Sequence, residues 1–169
     1  MKFTDITPEM LLEDKVRLSD VDLILDSQIG EKVGRKKSKI PPWYAFIVYY
    51  LTGSSNKASD YLLDRGIKTK RGNPFAPNAV LFSVWEWLLY NLDYARKFLQ
   101  RDFVVQGKPF TDDAFWFEMI RHAVIYKVIM PDHKLITWLE ENNLTDEKYL
   151  KKVKERRPQV YRHFQTRDN

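Results

Sequence analysis

Residues 64–80 read DRGIKTKRGNPFAPNAV, and the punctuation of this stretch decides how the chain on either side of it folds. Gly66 is a helix stop, because glycine takes left-handed backbone at little cost. Pro77 cannot sit inside a helix but is well placed to begin one. The stretch is therefore a connector between two helices, and it carries Lys68, Lys70 and Arg71 in its middle.

Before the connector, Ala58, Tyr61 and Leu62 stand at i, i+3 and i+4 on one helical face, with Ser54 or Ser55 as the N-cap. After it, NAVLFSVWEWLLY forms a helix from Pro77 that breaks near Asn91, and residues 93–99 make a separate one. Further out, WYAFIVYYL follows Pro41 and Pro42 and is apolar on nearly every side, which assigns it to the centre of the core. Thr7, Pro8 and Glu9 open a short helix expected to end near Arg17, and Ser19 caps another that Gly30 stops. Thr111 caps a long helix expected to run to Pro131, with shorter helices over 132–141 and 145–154 and a last turn or two in QVYRHF. FVVQGKPF, residues 103–110, is the one extended candidate, and without partner strands it makes no sheet. The expected fold class is all-α: a compact multi-helix domain containing a helix-turn-helix at about residues 55–90 with a basic inter-helix loop. Residues 1–40 are expected to hold N-terminal helices and a basic arm, 41–155 the helical core, and 156–169 a basic C-terminal tail.

Composition narrows the chemistry. A chain of 169 residues that is 44% hydrophobic can bury one sizeable core, and 14% aromatic content is too high for a disordered chain. The absence of cysteine excludes disulfides and thiolate-held metals. His122, His133 and His163 are widely spaced and form no HExxH pattern, so no metal site is expected. Asp112 and Asp113 stand at a helix start, where they favour the helix dipole rather than a nuclease centre. No P-loop, G-x-S-x-G or GxGxxG occurs, so neither an enzyme nor a cofactor is expected. Residues 1–20 lack an apolar core of signal-peptide length, and the apolar run at 41–51 is shorter than the roughly 20 residues of a membrane span. A cytoplasmic location without a membrane partner follows as the expectation.

The net charge of +5 is unevenly spread. Residues 1–30 carry 3 bases and 7 acids, and residues 111–150 carry 4 and 8. Against these, residues 31–40 carry 5 bases and 1 acid, 56–72 carry 5 and 2, and 151–169 carry 7 and 2. Three basic blocks separated by acidic segments suggest faces of opposite sign, one of them suited to an anion.

Residues 57–99 carry a more specific signal. The text reads KASDYLLDRGIKTKRGNPFAPNAV and later YNLDYARKF. It resembles the DNA-binding recombinase domain of large serine recombinases and similar phage helix-turn-helix proteins, in which a Gly-ended helix leads into a GIKTxRGxPW(S) loop, a second helix, and an N-P-x-Y-A-G-like sequence. Gly66, Ile67, Lys68, Thr69, Arg71, Gly72, Pro74, Val80, Asn91, Tyr94 and Ala95 fall on that pattern. Leu81 and Phe82 stand where the family carries an adjacent Arg pair, and no catalytic domain precedes the match. The resemblance therefore implies duplex-DNA binding without recombinase chemistry.

The residues themselves give a compatible reading. Lys68, Lys70 and Arg71, with Asn73, lie in a loop beside a helix N-terminus, where free N–H groups and the helix dipole favour phosphate; as a plain connector the same loop would only aid solubility. On the Pro77 helix, Asn78, Phe82 and Ser83 are expected to face outward, where Asn pairs with adenine and Phe touches a thymine methyl. Arg35, Lys36, Lys37 and Lys39 form either a groove-tracking arm or an ordinary charged loop. The C-terminal block is either a nucleic-acid tail or a solvated helix end. The expected function is that of a non-catalytic DNA-binding protein of phage or mobile-element type, a regulator of transcription or a DNA-packaging adaptor. The alternative is a protein-interaction module, such as a phage factor that modulates a host enzyme and uses the helix-turn-helix only as scaffold.

Overall fold

The computed structural model describes residues 2–29 and 40–167. After a 3-10 turn at Phe3–Asp5 come α1 (Pro8–Leu12), α2 (Leu18–Ile29), α3 (Pro42–Thr52), α4 (Ser55–Asp64) and α5 (Pro77–Tyr90). They are followed by α6 (Leu92–Val105), α7 (Asp112–Ile125), α8 (Asp132–Glu141), α9 (Glu147–Lys154) and α10 (Pro158–Arg167). Among the described residues the only extended pairing is an isolated bridge between Lys68 and Pro74, so the protein is all-α.

Local chemistry sets most helix ends. The hydroxyls of Thr7, Ser54 and Thr111 accept from the backbone N–H of Met10, Lys57 and Ala114 at 3.3, 3.1 and 3.0 Å, supplying a partner that the first turn lacks. Pro8, Pro42 and Pro77 open α1, α3 and α5. Among the boundaries that differ from the sequence expectation, four have a clear physical cause. The α1 helix ends at Leu12, well before Arg17, because Asp14 adopts φ 58 and the N–H groups of Asp14 and Lys15 turn back to Leu11 and Met10. The start of α2 is closed by the Asp20 carboxylate accepting from Arg17 N–H at 2.9 Å rather than by Ser19. The α6 helix runs on through Val105, so residues 103–105 are helical; Gly107, at φ 69, stops it while Lys108 N–H bonds Phe103 O at 2.9 Å. The α7 helix stops at Ile125 instead of Pro131, for a tertiary reason involving Arg157.

The chain divides into two compact units, Met1–Tyr94 and Ala95–Asn169, a division that falls within residues 41–155. In the first unit α3 is central and packs on α5, α4 and α2. Its Ala45, Phe46, Ile47 and Val48 are buried with Val80, Val84, Leu88 and Leu89 of α5 and Val21 and Ile24 of α2. Trp43 ties in the N-terminal segment by donating to the carbonyls of Phe3 and Ile6 at 3.3 and 3.1 Å.

In the second unit α7 packs on α9, and α10 packs on α9 and α8. The segment expected as a basic tail is mostly the helix α10, held by buried Val160, Tyr161 and Phe164. Arg157, which is 2% exposed, donates to the carbonyls of Val124, Ala123 and Met130 at 3.1, 3.4 and 2.7 Å and to the Asp132 carboxylate at 2.9 Å. Those carbonyls lie at and beyond the end of α7. A guanidinium fork that satisfies them stabilises the early stop and the turn that follows.

Candidate nucleic-acid interface

The connector between α4 and α5, residues 65–76, is an ordered hairpin. At its entrance Gly66, φ 74, lets its own N–H bond Leu63 O at 3.0 Å and that of Ile67 bond Leu62 O at 3.0 Å, which reverses the chain. Thr69 N–H then bonds Asn73 O at 2.8 Å, and Gly72 N–H bonds Thr69 O at 2.9 Å. This is a three-residue hairpin loop closed by a glycine of positive φ, here 82. The Thr69 hydroxyl adds a bond from Asn73 N–H at 3.2 Å. At the exit Phe75 is 3% exposed, and its carbonyl accepts from the Ser59 hydroxyl at 2.6 Å. The hairpin is thus fastened to α4 at both ends, with Lys70 and Arg71 at its tip.

Lys68, Lys70 and Arg71 are exposed, and among the described residues no carboxylate forms an ion pair with any of them. Neighbouring Arg65 differs. It pairs with Asp22 at 2.6 Å and lies over the Tyr61 ring, 3.4 Å from its centroid. Hydrogen bonds from Arg65 and from the Tyr61 hydroxyl hold the Asp22 carboxyl below its usual range. Arg65 is therefore engaged in tying α4 to α2, while the hairpin cations stay available to a partner.

Between the hairpin and the first turns of α5 lies a cleft of about 560 Å³. Its lining includes Thr69, Asn73, Asn78 and Phe82, with Ile40 and Phe75 as apolar wall. Of the expected DNA-contacting residues, Asn73 and Asn78 are exposed at this cleft and Phe82 is half-buried in it. Ser83 is a correction. It is 1% exposed and donates to Ile40 O at 2.8 Å, because it lies three residues after buried Val80 and shares that inward face. Arg35, Lys36, Lys37 and Lys39 lie outside the described residues. The parts played by Ser59 and Ile40 escaped the sequence reading. Ser59 meets its partner sixteen residues away, and no local pattern announces such a bond.

Several cations in and near the C-terminal basic block are engaged within their own unit. Lys148 pairs with Asp113 at 3.2 Å, and Lys152 and Lys154 each lie 5.2 Å from the centroids of Phe117 and Tyr161. Asp112 and Asp113 have separate partners, Arg96 at 2.6 Å and the Tyr149 hydroxyl at 2.7 Å. Hydrogen bonds from Tyr149 and Lys148 keep the Asp113 carboxyl below its usual range. Among the described residues no group of three or more His, Asp or Glu side chains is placed to hold a metal, and no helix is long and apolar enough to cross a membrane. No family model, curated protein or solved structure matches the chain.

Proposed function

We propose that the protein binds duplex DNA without catalysing a reaction, and that the basic hairpin, more than α5, makes the contact. The observation that carries this is the set of three exposed cations, Lys68, Lys70 and Arg71, unpaired among the described residues and held on a fastened hairpin beside Asn73 and Asn78. Cations left without internal partners on a rigid support suit phosphate oxygens, which supply most of the affinity of DNA-binding proteins. The resemblance of residues 57–99 to a recombinase DNA-binding domain supports the same assignment, with α4 and α5 as its two helices. A phage or mobile-element regulator, or a DNA-packaging adaptor, working in the cytoplasm fits this chemistry.

The test is a gel-shift titration across salt concentrations on mixed-sequence duplex. Replacing Lys68, Lys70 and Arg71 by Ala should weaken binding to every sequence and flatten the salt slope by about 0.9 per lost phosphate contact. Helical circular dichroism should not change. An unaltered affinity and slope in the triple variant would reduce the hairpin to a connector.

The second reading is the protein-interaction module that modulates a host enzyme. It is favoured by α5, whose Val80, Ser83, Val84, Trp85, Leu88 and Leu89 are buried, so that the helix behaves as scaffold. Under that reading the wild-type protein shows no salt-dependent affinity for duplex at all.

A further inference from the structure

The polar groups at the start of α5 line a hollow instead of forming a ridge. Reading the edges of stacked base pairs requires a convex element that enters a groove. The α5 helix is buried from Val80 through Leu89 on its inner face, and its exposed Asn78 and Ala79 open onto the cleft. We infer that this cleft receives one unpaired nucleobase of a bound strand, while the hairpin cations hold the flanking phosphates; this rests on the DNA-binding reading above.

Three features of the cleft favour such a guest. A nucleobase has apolar faces and a polar edge, and proteins that take unstacked bases offer an aromatic surface together with groups that hydrogen-bond the edge. Here half-buried Phe82 supplies aromatic wall, and the carboxamides of exposed Asn73 and Asn78 each bring a donor and an acceptor. The volume, about 560 Å³, lies within the roughly 300–1,000 Å³ range of small-molecule sites and leaves room for a base with its sugar. Charge is complementary as well. The cleft wall includes Thr69 and Asn73 of the hairpin that bears the exposed cations Lys68, Lys70 and Arg71.

The experiment is a fluorescence-anisotropy competition with the full chain at one fixed salt concentration. The probes are a fully paired duplex, the same duplex with one central unpaired adenine, and the corresponding single strand. The duplex with the unpaired adenine should bind at least about tenfold tighter than the paired one, because the paired one must in addition give up a base pair to fill the cleft. Ala79→Trp fills the cleft from an exposed position and removes no buried group, so it should bring that ratio to about one, with Asn78→Ala reducing it less. The pair Lys70→Ala and Arg71→Ala should weaken both duplexes together and preserve the ratio. Equal wild-type affinity for the two duplexes, or a preference that survives Ala79→Trp, would overturn the inference. Competition by free adenosine monophosphate with no preference between the duplexes would overturn it too, making the cleft a mononucleotide site. Absence of binding to all three probes would bring down the DNA-binding reading and this inference with it, a result distinct from equal binding.

Discussion

Arg71 and Arg157 carry the same charge in two basic blocks, and their surroundings assign them opposite work. Arg71 is exposed at the hairpin tip, whereas Arg157 is 2% exposed with carbonyl and carboxylate partners around its guanidinium. Removing the buried one leaves the carbonyls of Val124, Ala123 and Met130 without that donor, while Asp132, 51% exposed, can return to water. Arg157→Met should therefore destabilise the protein by about 3 kcal/mol, read as a lower urea midpoint at unchanged slope. Arg157→Lys should recover only part of that, since an ammonium cannot reproduce the planar fork. DNA affinity below the unfolding transition should stay at the wild-type value. Weaker DNA binding with undiminished stability would instead make Arg157 a phosphate contact.

At the scale of the element, the hairpin depends on how α4 ends. Gly66 at φ 74 sets the direction in which the chain leaves the helix, and a Cβ built there meets nothing within 4 Å. The cost of adding a side chain is therefore backbone strain without a clash. Gly66→Ala should lower stability by about 1 kcal/mol, and Gly66→Asn by less, because Asn tolerates the left-handed region better. Chemical denaturation of both variants checks the order. If both cost nothing, the reversal at Gly66 is not under the strain its φ implies. The stop itself was legible in the sequence, as were the Pro77 start and the Thr111 cap, and the α4 cap was narrowed to Ser54 or Ser55, because each is decided within about one turn of chain. The ends of α1 and α7 were not. One depends on a left-handed Asp14, which sequence rarely signals, and the other on Arg157, far along the chain.

For the whole molecule the question is whether DNA would answer to net charge or to a site. Lys70→Ala with Arg71→Ala, and Lys151→Ala with Arg162→Ala, remove the same charge from exposed positions. If the hairpin is the contact, the first pair should cost on the order of tenfold in duplex affinity and the second less than about twofold. Equal losses in the competition titration would mean that general attraction, not the hairpin, draws the protein to DNA. Elsewhere many cations are already engaged within the protein, as Arg65, Arg96, Lys148 and Arg157 show.

The all-α class, the central place of WYAFIVYYL and the exposed basic connector were determined by sequence alone, since helical period, capping residues and a run of lysine and arginine act over short distances. The face on which Ser83 lies also follows from its spacing to Val80, although the sequence reading had turned it outward. Tertiary structure decided the rest. Ser59 reaches Phe75 to fasten the hairpin, Ile40 meets Ser83 to close the cleft wall, and Arg157 is withdrawn from solvent to end α7. Each is a hydrogen bond between residues distant in sequence, formed because a buried polar group must find a partner wherever the packed helices bring one within reach.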